Sequence, residues 1–175
     1  PVYNSNNIYT ASIVGNLGLD ITKNRYIMYI HQDVYFLPGS GEQIVNLINS
    51  MDDTRIVTGA VGMSINYYDD HIDEWGFCEE NNKIGVVFNE HDEIVWDGIK
   101  QISVVHSLDE ICLIVDKFSG IRFDNSMPGF HLYGLDICLQ ARSAGYEIAA
   151  GPINMKHYGK YSSSIYRDHN FINKL

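Results

Sequence analysis

Cysteine and proline are scarce in this chain of 175 residues, which contains three cysteines and four prolines. Cys78, Cys112 and Cys138 lie far apart and form no CxxC pair. This spacing argues against a disulfide framework and predicts the reduced thiols of a cytosolic protein. Two of the three lie in apolar runs, so we expect them in the core.

Positive charge and long apolar runs are also lacking. The 12 Lys and Arg residues are outnumbered by 22 Asp and Glu residues, and a formal net charge of −10 argues against a general nucleic-acid binder. An acidic protein can still bind a phosphate ligand where a divalent cation bridges its carboxylates to the phosphates. No apolar run approaches the roughly 20 residues of a membrane span, and no signal peptide is evident. We expect one cytoplasmic domain over residues 1–175, without a transmembrane segment.

The most informative stretch is 25–38, RYIMYIHQDVYFLP. Tyr26–Ile30 is short, apolar and rich in β-branched and aromatic residues, and it predicts a buried central strand. His31, Gln32 and Asp33 follow at its carboxyl end, where ligands bind in open α/β sheets. Asp33 could equally do no more than order a turn.

A helix and a second strand are predicted next. Ser40 with Gln43 fits a capping box, and apolar residues at helical spacing continue to Met51. The run 55–61 reads as another buried strand. Because a helix joins the two strands, we expect 26–30 and 55–61 to be parallel neighbours at the centre of a mixed sheet.

Other segments complete the predicted α/β fold. Residues 5–7 can cap a first helix, in which Gly15 and Gly18 indicate close packing against the next strand. Residues 107–109 resemble a turn. The remaining strands are predicted at 83–88, 93–96, 101–106, 110–115 and 147–150.

Two further segments carry candidate chemistry. Residues 67–82 mix carboxylates and aromatics, and they suit either an exposed acidic loop or an acceptor-binding lid in which Trp75 stacks on a sugar. A helix is predicted from Tyr133 until Gly145 stops it. Asp136 lies in its first turn, where an acid complements the helix dipole. The same dipole keeps Asp136 ionised, as a general base requires.

Four segments, in chain order, carry a family resemblance. They are Asn16-x-Gly18-Leu19, RYIMYIHQD at 25–33, LDE at 108–110 and FHLYGLDICLQA at 130–141. Together they resemble the motifs of GT-A glycosyltransferases, and most closely the bacterial "glycosyltransferase like family 2" branch. The similarity extends from about Ile13 to His157.

The resemblance implies a GT-A-like, Rossmann-like α/β sandwich that transfers a sugar from a nucleotide-sugar donor to a glycan or lipid-linked acceptor, with inversion. It implies Mn²⁺ or Mg²⁺ bound by Asp33 and His157, and Asp136 as catalytic base. The implied donor-binding residues are His31, Gln32 and Asn16. The implied acceptor-binding residues are Asp109, Glu110, His131, Tyr133 and Trp75.

The chain departs from the family pattern in two places. His31 stands where the D-x-D triplet has its first acid, and only one helix precedes the 26–30 strand, so the first strand–helix–strand unit is lacking. Three explanations stay open: the chain is a fragment, another chain completes the sheet, or donor binding has been lost. We expect an exposed sheet edge and a homo-oligomer that pairs through it. Two alternatives remain open: a non-catalytic remnant that binds a glycan or protein, and a metal-dependent phosphohydrolase that uses the same acids.

Overall fold

The computed structural model describes residues 9–64, 83–127 and 129–159, and in these ranges the chain is an α/β protein with mixed sheets. The α-helices of the described residues are α1 (Ala11–Ile21), α2 (Ser40–Asn49) and α3 (Tyr133–Ser143). The strands are β1 (Tyr26–Ile30), β2 (Val34–Phe36), β3 (Arg55–Gly59), β4 (Gly62–Met63), β5 (Lys83–Ile84), β6 (Val86–Phe88), β7 (Ile94–Asp97), β8 (Ser103–Val105), β9 (Ser107–Leu108), β10 (Cys112–Asp116), β11 (Glu147–Ala150) and β12 (Met155–His157).

The main sheet has five strands in the order β1-β10-β3-β11-β8. β10 runs antiparallel to both of its neighbours, β11 runs parallel to β3, and β8 is antiparallel to β11. A second sheet has the order β2-β12-β6-β7, and a small third sheet has the order β5-β4-β9. The segment predicted as a turn at 107–109 thus contributes a short strand.

The predicted pairing of 26–30 with 55–61 is wrong, because β10 lies between β1 and β3. The two strands do point the same way, since both are antiparallel to β10. β10 is buried along its whole length, whereas Met28 and Ile30 of β1 are 37% and 42% exposed. The most apolar strand therefore occupies the interior of the sheet, and β1 is an edge strand in the described part of the chain.

The main sheet lies between two hydrophobic cores. One core contains Leu19 of α1 and Ile137 of α3, and the other contains Leu47 of α2 and Met155 of β12. Alternate residues of β10 serve the two cores: Leu113 belongs to the first, whereas Ile114 belongs to the second. This period of two is what a strand buried on both faces requires. Cys112 and Cys138 are free and fully buried, as predicted, and Cys78 lies outside the described residues.

The observed helix ends agree only in part with those predicted from the sequence. Thr10 caps α1, and the predicted capping residues 5–7 lie outside the described residues. The capping box of α2 is wrong: α2 begins after Gly39, whose φ is 91°, and Ser40 donates instead to the carbonyls of Leu37 and Asn154. Ser40 is only 3% exposed, so its hydroxyl satisfies buried carbonyls rather than helix amides. Gly145 ends α3 with a φ of 89°, as predicted.

Gly15 packs closely against its neighbours, as its sequence context predicts. A Cβ on Gly15 would lie 2.7 Å from the Phe123 ring, and the Gly15 carbonyl accepts a hydrogen bond from the Tyr29 hydroxyl at 2.9 Å. The Tyr29 and Phe123 rings meet edge to face. The absence of a side chain at Gly15 thereby lets the Phe123 ring pack against α1.

Gly15→Ala is expected to lower the free energy of unfolding by about 1–3 kcal/mol, the usual cost of overpacking. Gly41→Ala is the matched control, because nothing lies within 4 Å of the added methyl. On helix propensity it should leave stability unchanged or raise it by up to about 1 kcal/mol. Urea denaturation measures both changes, and a Gly15→Ala protein as stable as wild type would refute the packing argument.

None of the helices in the described ranges is long and apolar enough to cross a membrane.

Candidate metal centre

Three potential metal ligands meet at the carboxyl end of β1. His31 and Asp33 follow β1, His157 ends β12, and one ligand atom from each lies within 4.8 Å of the other two. The pairing of β2 with β12 places Val34 opposite His157. The Tyr158 amide donates to the Asp33 carbonyl at 3.0 Å, which extends this register to Asp33. The expected proximity of Asp33 and His157 is confirmed, and His31 joins them.

The distances and the chemistry of this triad suit a divalent cation. Nε2 of His157 lies 3.3 Å from Oδ1 of Asp33, and the His31 and His157 ring centroids are 5.7 Å apart. Neighbouring ligands of an ion with bonds of about 2.1 Å are separated by about 3 Å. Imidazole nitrogens favour transition metals and carboxylate oxygens suit Mn²⁺ and Mg²⁺, so the mixed donor set fits Mn²⁺ better than Mg²⁺.

Gly159 makes room for the triad. A Cβ at this position would lie 2.6 Å from Oδ2 of Asp33 and 2.7 Å from Nε2 of His157. A side chain at this position would therefore require the Asp33 or His157 side chain to shift. Sequence reasoning did not identify Gly159, because its neighbours come together only through the pairing of β2 with β12.

His31 is electrostatically coupled to a wider group of charged residues. Burial lowers its pKa, and the charges of His157 and His131 act in the same direction. The carboxylates of Asp109 and Asp33 oppose this shift. His31 is therefore neutral at neutral pH, with a lone pair available for a metal. The same couplings place two predicted acceptor-binding residues, Asp109 and His131, in the surroundings of the triad.

Glu110, between β9 and β10, is a buried acid whose side chain contacts the start of α3. It is only 6% exposed, and its Oε1 accepts a hydrogen bond from the Leu132 amide at 3.0 Å. Burial raises its pKa to about 7, and the Asp109 charge adds to the shift, while the Leu132 amide opposes it. The Tyr133 hydroxyl donates to the Glu110 carbonyl at 3.2 Å. The predicted acceptor residues Glu110 and Tyr133 are thus in contact.

Glu110→Gln is expected to remove a pH dependence of stability. In the folded wild-type protein the pKa of Glu110 is raised from 4.5 to about 7, so folding takes up a proton between these pH values. The stabilisation is complete below pH 4.5 and is lost as pH rises through about 7, by about 3 kcal/mol in all. Unfolding free energies of variant and wild type should therefore diverge, in favour of the variant, between pH 5 and pH 8. A stability difference between variant and wild type that stays constant from pH 5 to pH 8 would contradict the raised pKa of Glu110. Glu42→Gln, which changes an exposed acid, is the control.

The observed hydrogen bonds of Asp136 and Asn16 are made to residues outside the triad. The two carboxylate oxygens of Asp136 accept from the Asp124 amide at 2.8 Å and from Nε2 of Gln140 at 3.0 Å. The Asn16 side chain bonds the amide and carbonyl of Phe123. Both residues thus hold the segment 123–125 against α1 and α3. Their predicted roles in catalysis and donor binding remain predictions.

Gln32 and Trp75 are the other two predicted site residues. Gln32 is exposed between His31 and Asp33, and its predicted role in donor binding remains a prediction. Trp75, with the whole acidic stretch 67–82, lies outside the described residues.

No family model matches the chain. A protein of Fuscovulum blasticum named "ATP synthase subunits region ORF 6" is 25% identical to it over 144 residues. The similarity covers 79% of this chain and 53% of that protein. The chain therefore spans about half the length of the curated relative that it matches.

Proposed function

We propose that the chain is a GT-A-type glycosyltransferase domain that transfers a sugar from a nucleotide-sugar donor to a glycan or lipid-linked acceptor, with inversion and with the help of Mn²⁺ or Mg²⁺. The observation that carries the proposal is the triad of His31, Asp33 and His157, whose ligand atoms lie within 4.8 Å of one another at a strand end. The mixed α/β sheet and the motif resemblance support it.

Charge explains why such a protein would need the metal. The net charge of −10 repels a nucleoside diphosphate. A divalent cation held by one carboxylate and two neutral imidazoles leaves a local positive charge that can attract the diphosphate. The chemistry it supplies is neutralisation of the charge on the leaving nucleoside diphosphate.

The acceptor side is formed by the chain's own residues. Asp109 and His131 are coupled to His31, and Glu110 fixes the start of α3 through the Leu132 amide. Asp136 follows in the first turn of that helix. In the proposed reaction Asp136 takes the proton from the acceptor hydroxyl.

A second candidate function is a non-catalytic glycan-binding or protein-binding module. The observation that favours it is the engagement of both Asp136 oxygens by Asp124 and Gln140, which suffices to explain this acid without catalysis. A phosphohydrolase ranks below both candidates, because the triad is the one potential metal-ligand group found in the described residues.

A thermal-shift screen tests the proposed function. Nucleoside diphosphates and nucleotide-sugars are each added with and without Mn²⁺. We expect at least one diphosphate to raise Tm when Mn²⁺ is present and to have little effect without it, because a ligand that binds only the folded state stabilises it. Failure of every nucleotide to raise Tm in the presence of Mn²⁺ would contradict donor binding.

We further propose self-association through β1. Among the described residues β1 pairs only with β10, which leaves its other edge without a partner strand there. Exposed strand edges favour pairing with another chain. Light scattering over a concentration series should show a dimer or larger assembly, and a strict monomer at high concentration would refute this prediction.

A further inference from the structure

Two exposed tyrosines lie side by side at β2 and the end of β12: Tyr35 is two residues after Asp33, and Tyr158 directly follows His157. Tyr35 of β2 is 58% exposed and Tyr158, which follows β12, is 44% exposed. Their ring centroids are 4.6 Å apart, with the planes tilted by 56°. Side chains alternate along a strand. Val34 accordingly packs into a core, whereas Tyr35 points to the outside.

An ion pair borders these two rings. Lys156 lies opposite Tyr35 in the β2–β12 register, and its Nζ is 2.5 Å from Oδ1 of Asp92. The surface formed by Tyr35, Tyr158, Lys156 and Asp92, called here the tyrosine platform, combines two aromatic faces with donors and acceptors of balanced charge.

We propose that the tyrosine platform binds a neutral sugar ring of a glycan. The apolar face of the sugar stacks on the tyrosine rings, and its hydroxyls bond to the phenols and to Asp92. The glycan's role as acceptor rests on the proposed function, whereas the binding itself does not depend on the metal. In the β2–β12 pair, His157 lies opposite Val34 and Lys156 lies opposite Tyr35, so the platform and His157 lie on opposite faces of these two strands.

The chemistry of the platform favours a sugar over other occupants. A nucleotide carries several negative charges, and the single ammonium of Lys156 is already neutralised by Asp92. A protein partner usually needs a larger continuous apolar core, whereas this surface is two rings beside an ion pair. Isolated exposed aromatics are ordinary, but two tyrosines in contact next to paired donors and acceptors match the mixed character of a pyranose ring.

Binding of neutral oligosaccharides to the full chain, without metal or nucleotide, tests the proposal. A panel of neutral hexose oligomers is screened by saturation-transfer NMR, and the affinity of the best oligomer is then measured by calorimetry. Tyr35→Ala and Tyr158→Ala should each weaken binding about tenfold or more, because each removes a stacking face. Tyr35→Phe should retain most of the affinity. Phe118→Ala, at an aromatic that is 72% exposed on the short helix after β10, should leave it unchanged.

The outcomes separate this proposal from the proposed function. Binding of no oligosaccharide, or equal binding by the alanine variants and wild type, would overturn the platform. If no sugar binds and the alanine variants instead lose the binding of a nucleotide or a protein, the assignment of the platform to a glycan would be overturned. The tyrosine variants should keep the Mn²⁺-dependent Tm shift with a nucleoside diphosphate, and Asp33→Ala should keep oligosaccharide binding. Sugar binding without any nucleotide response would support the platform and count against the transferase.

Discussion

The Asp33→Ala protein is expected to lose the entire Tm increase that Mn²⁺ and a nucleoside diphosphate together give the wild-type chain. A ligand present at about 100 times its Kd stabilises a folded protein by about 2.7 kcal/mol. For a chain of this length that energy corresponds to about 5–10 °C in Tm. Asp33 supplies the single carboxylate of the triad, so its loss leaves only the two imidazoles.

Loss of binding by Asp33→Ala should not reflect a damaged fold. The Asp33 side chain is 35% exposed and belongs to neither hydrophobic core. Its structural hydrogen bond to Tyr158 uses the main-chain carbonyl, which alanine retains. Asp97→Ala, at an acid that is 64% exposed on β7, is the matched control and should keep the full Tm increase.

Gly159→Ala tests the same site while every ligand remains present. Its methyl group would meet Asp33 and His157 at 2.6–2.7 Å, so at least one of these two side chains must shift. We expect the Mn²⁺-dependent shift to fall as it does in Asp33→Ala. An unchanged shift in both proteins would remove the triad from the metal site.

Asp136→Asn is expected to lower turnover by about 10²-fold or more while donor affinity stays constant. This is the usual contribution of a general base, and the base acts on the acceptor rather than on the donor. Asparagine keeps the shape and one accepting oxygen, but it cannot take a proton from a hydroxyl. Turnover with a saturating donor, together with the Mn²⁺-dependent Tm shift, measures the two effects separately.

Glu42→Gln is the matched control for Asp136→Asn. Glu42 is the acid in the first turn of α2, as Asp136 is in α3. Both substitutions remove a charge that complements a helix dipole, for about 0.3–1 kcal/mol. Only Asp136→Asn should affect turnover. An Asp136→Asn protein that has full turnover but reduced stability would refute Asp136 as the base and assign this acid to the structural contacts with Asp124 and Gln140.

The sequence predicts the local elements of this fold better than their arrangement. Short apolar runs locate β1 and β3, and an apolar stripe at helical spacing locates α3, because these patterns are local in the sequence. The insertion of β10 between β1 and β3 has no local signal, since it depends on which strand buries more apolar surface on both faces. The short strands β2 and β12 were not predicted, because three residues are too few to establish an alternation.

The candidate site was likewise predicted only in part from the sequence. The strand-end position of Asp33 and the family motifs together indicated the neighbourhood of Asp33 and His157. His31 was expected to contact the donor, and its place beside the other two ligands follows from the turn after β1. Gly159 could not be found, because its significance is the space it leaves between two side chains that are distant in sequence. The capping box at Ser40 failed because a segment far along the chain, at Asn154, captures both side chains.

The central claim is that His31, Asp33 and His157 hold the cation to which a nucleoside diphosphate binds. The most direct test is a crystal structure of the chain grown with Mn²⁺ and a nucleoside diphosphate, with data collected at the manganese absorption edge. The account predicts an anomalous peak within bonding distance of one atom of each triad residue and of the diphosphate oxygens. A bound diphosphate with no peak at the triad, or a peak held by other residues, would contradict it.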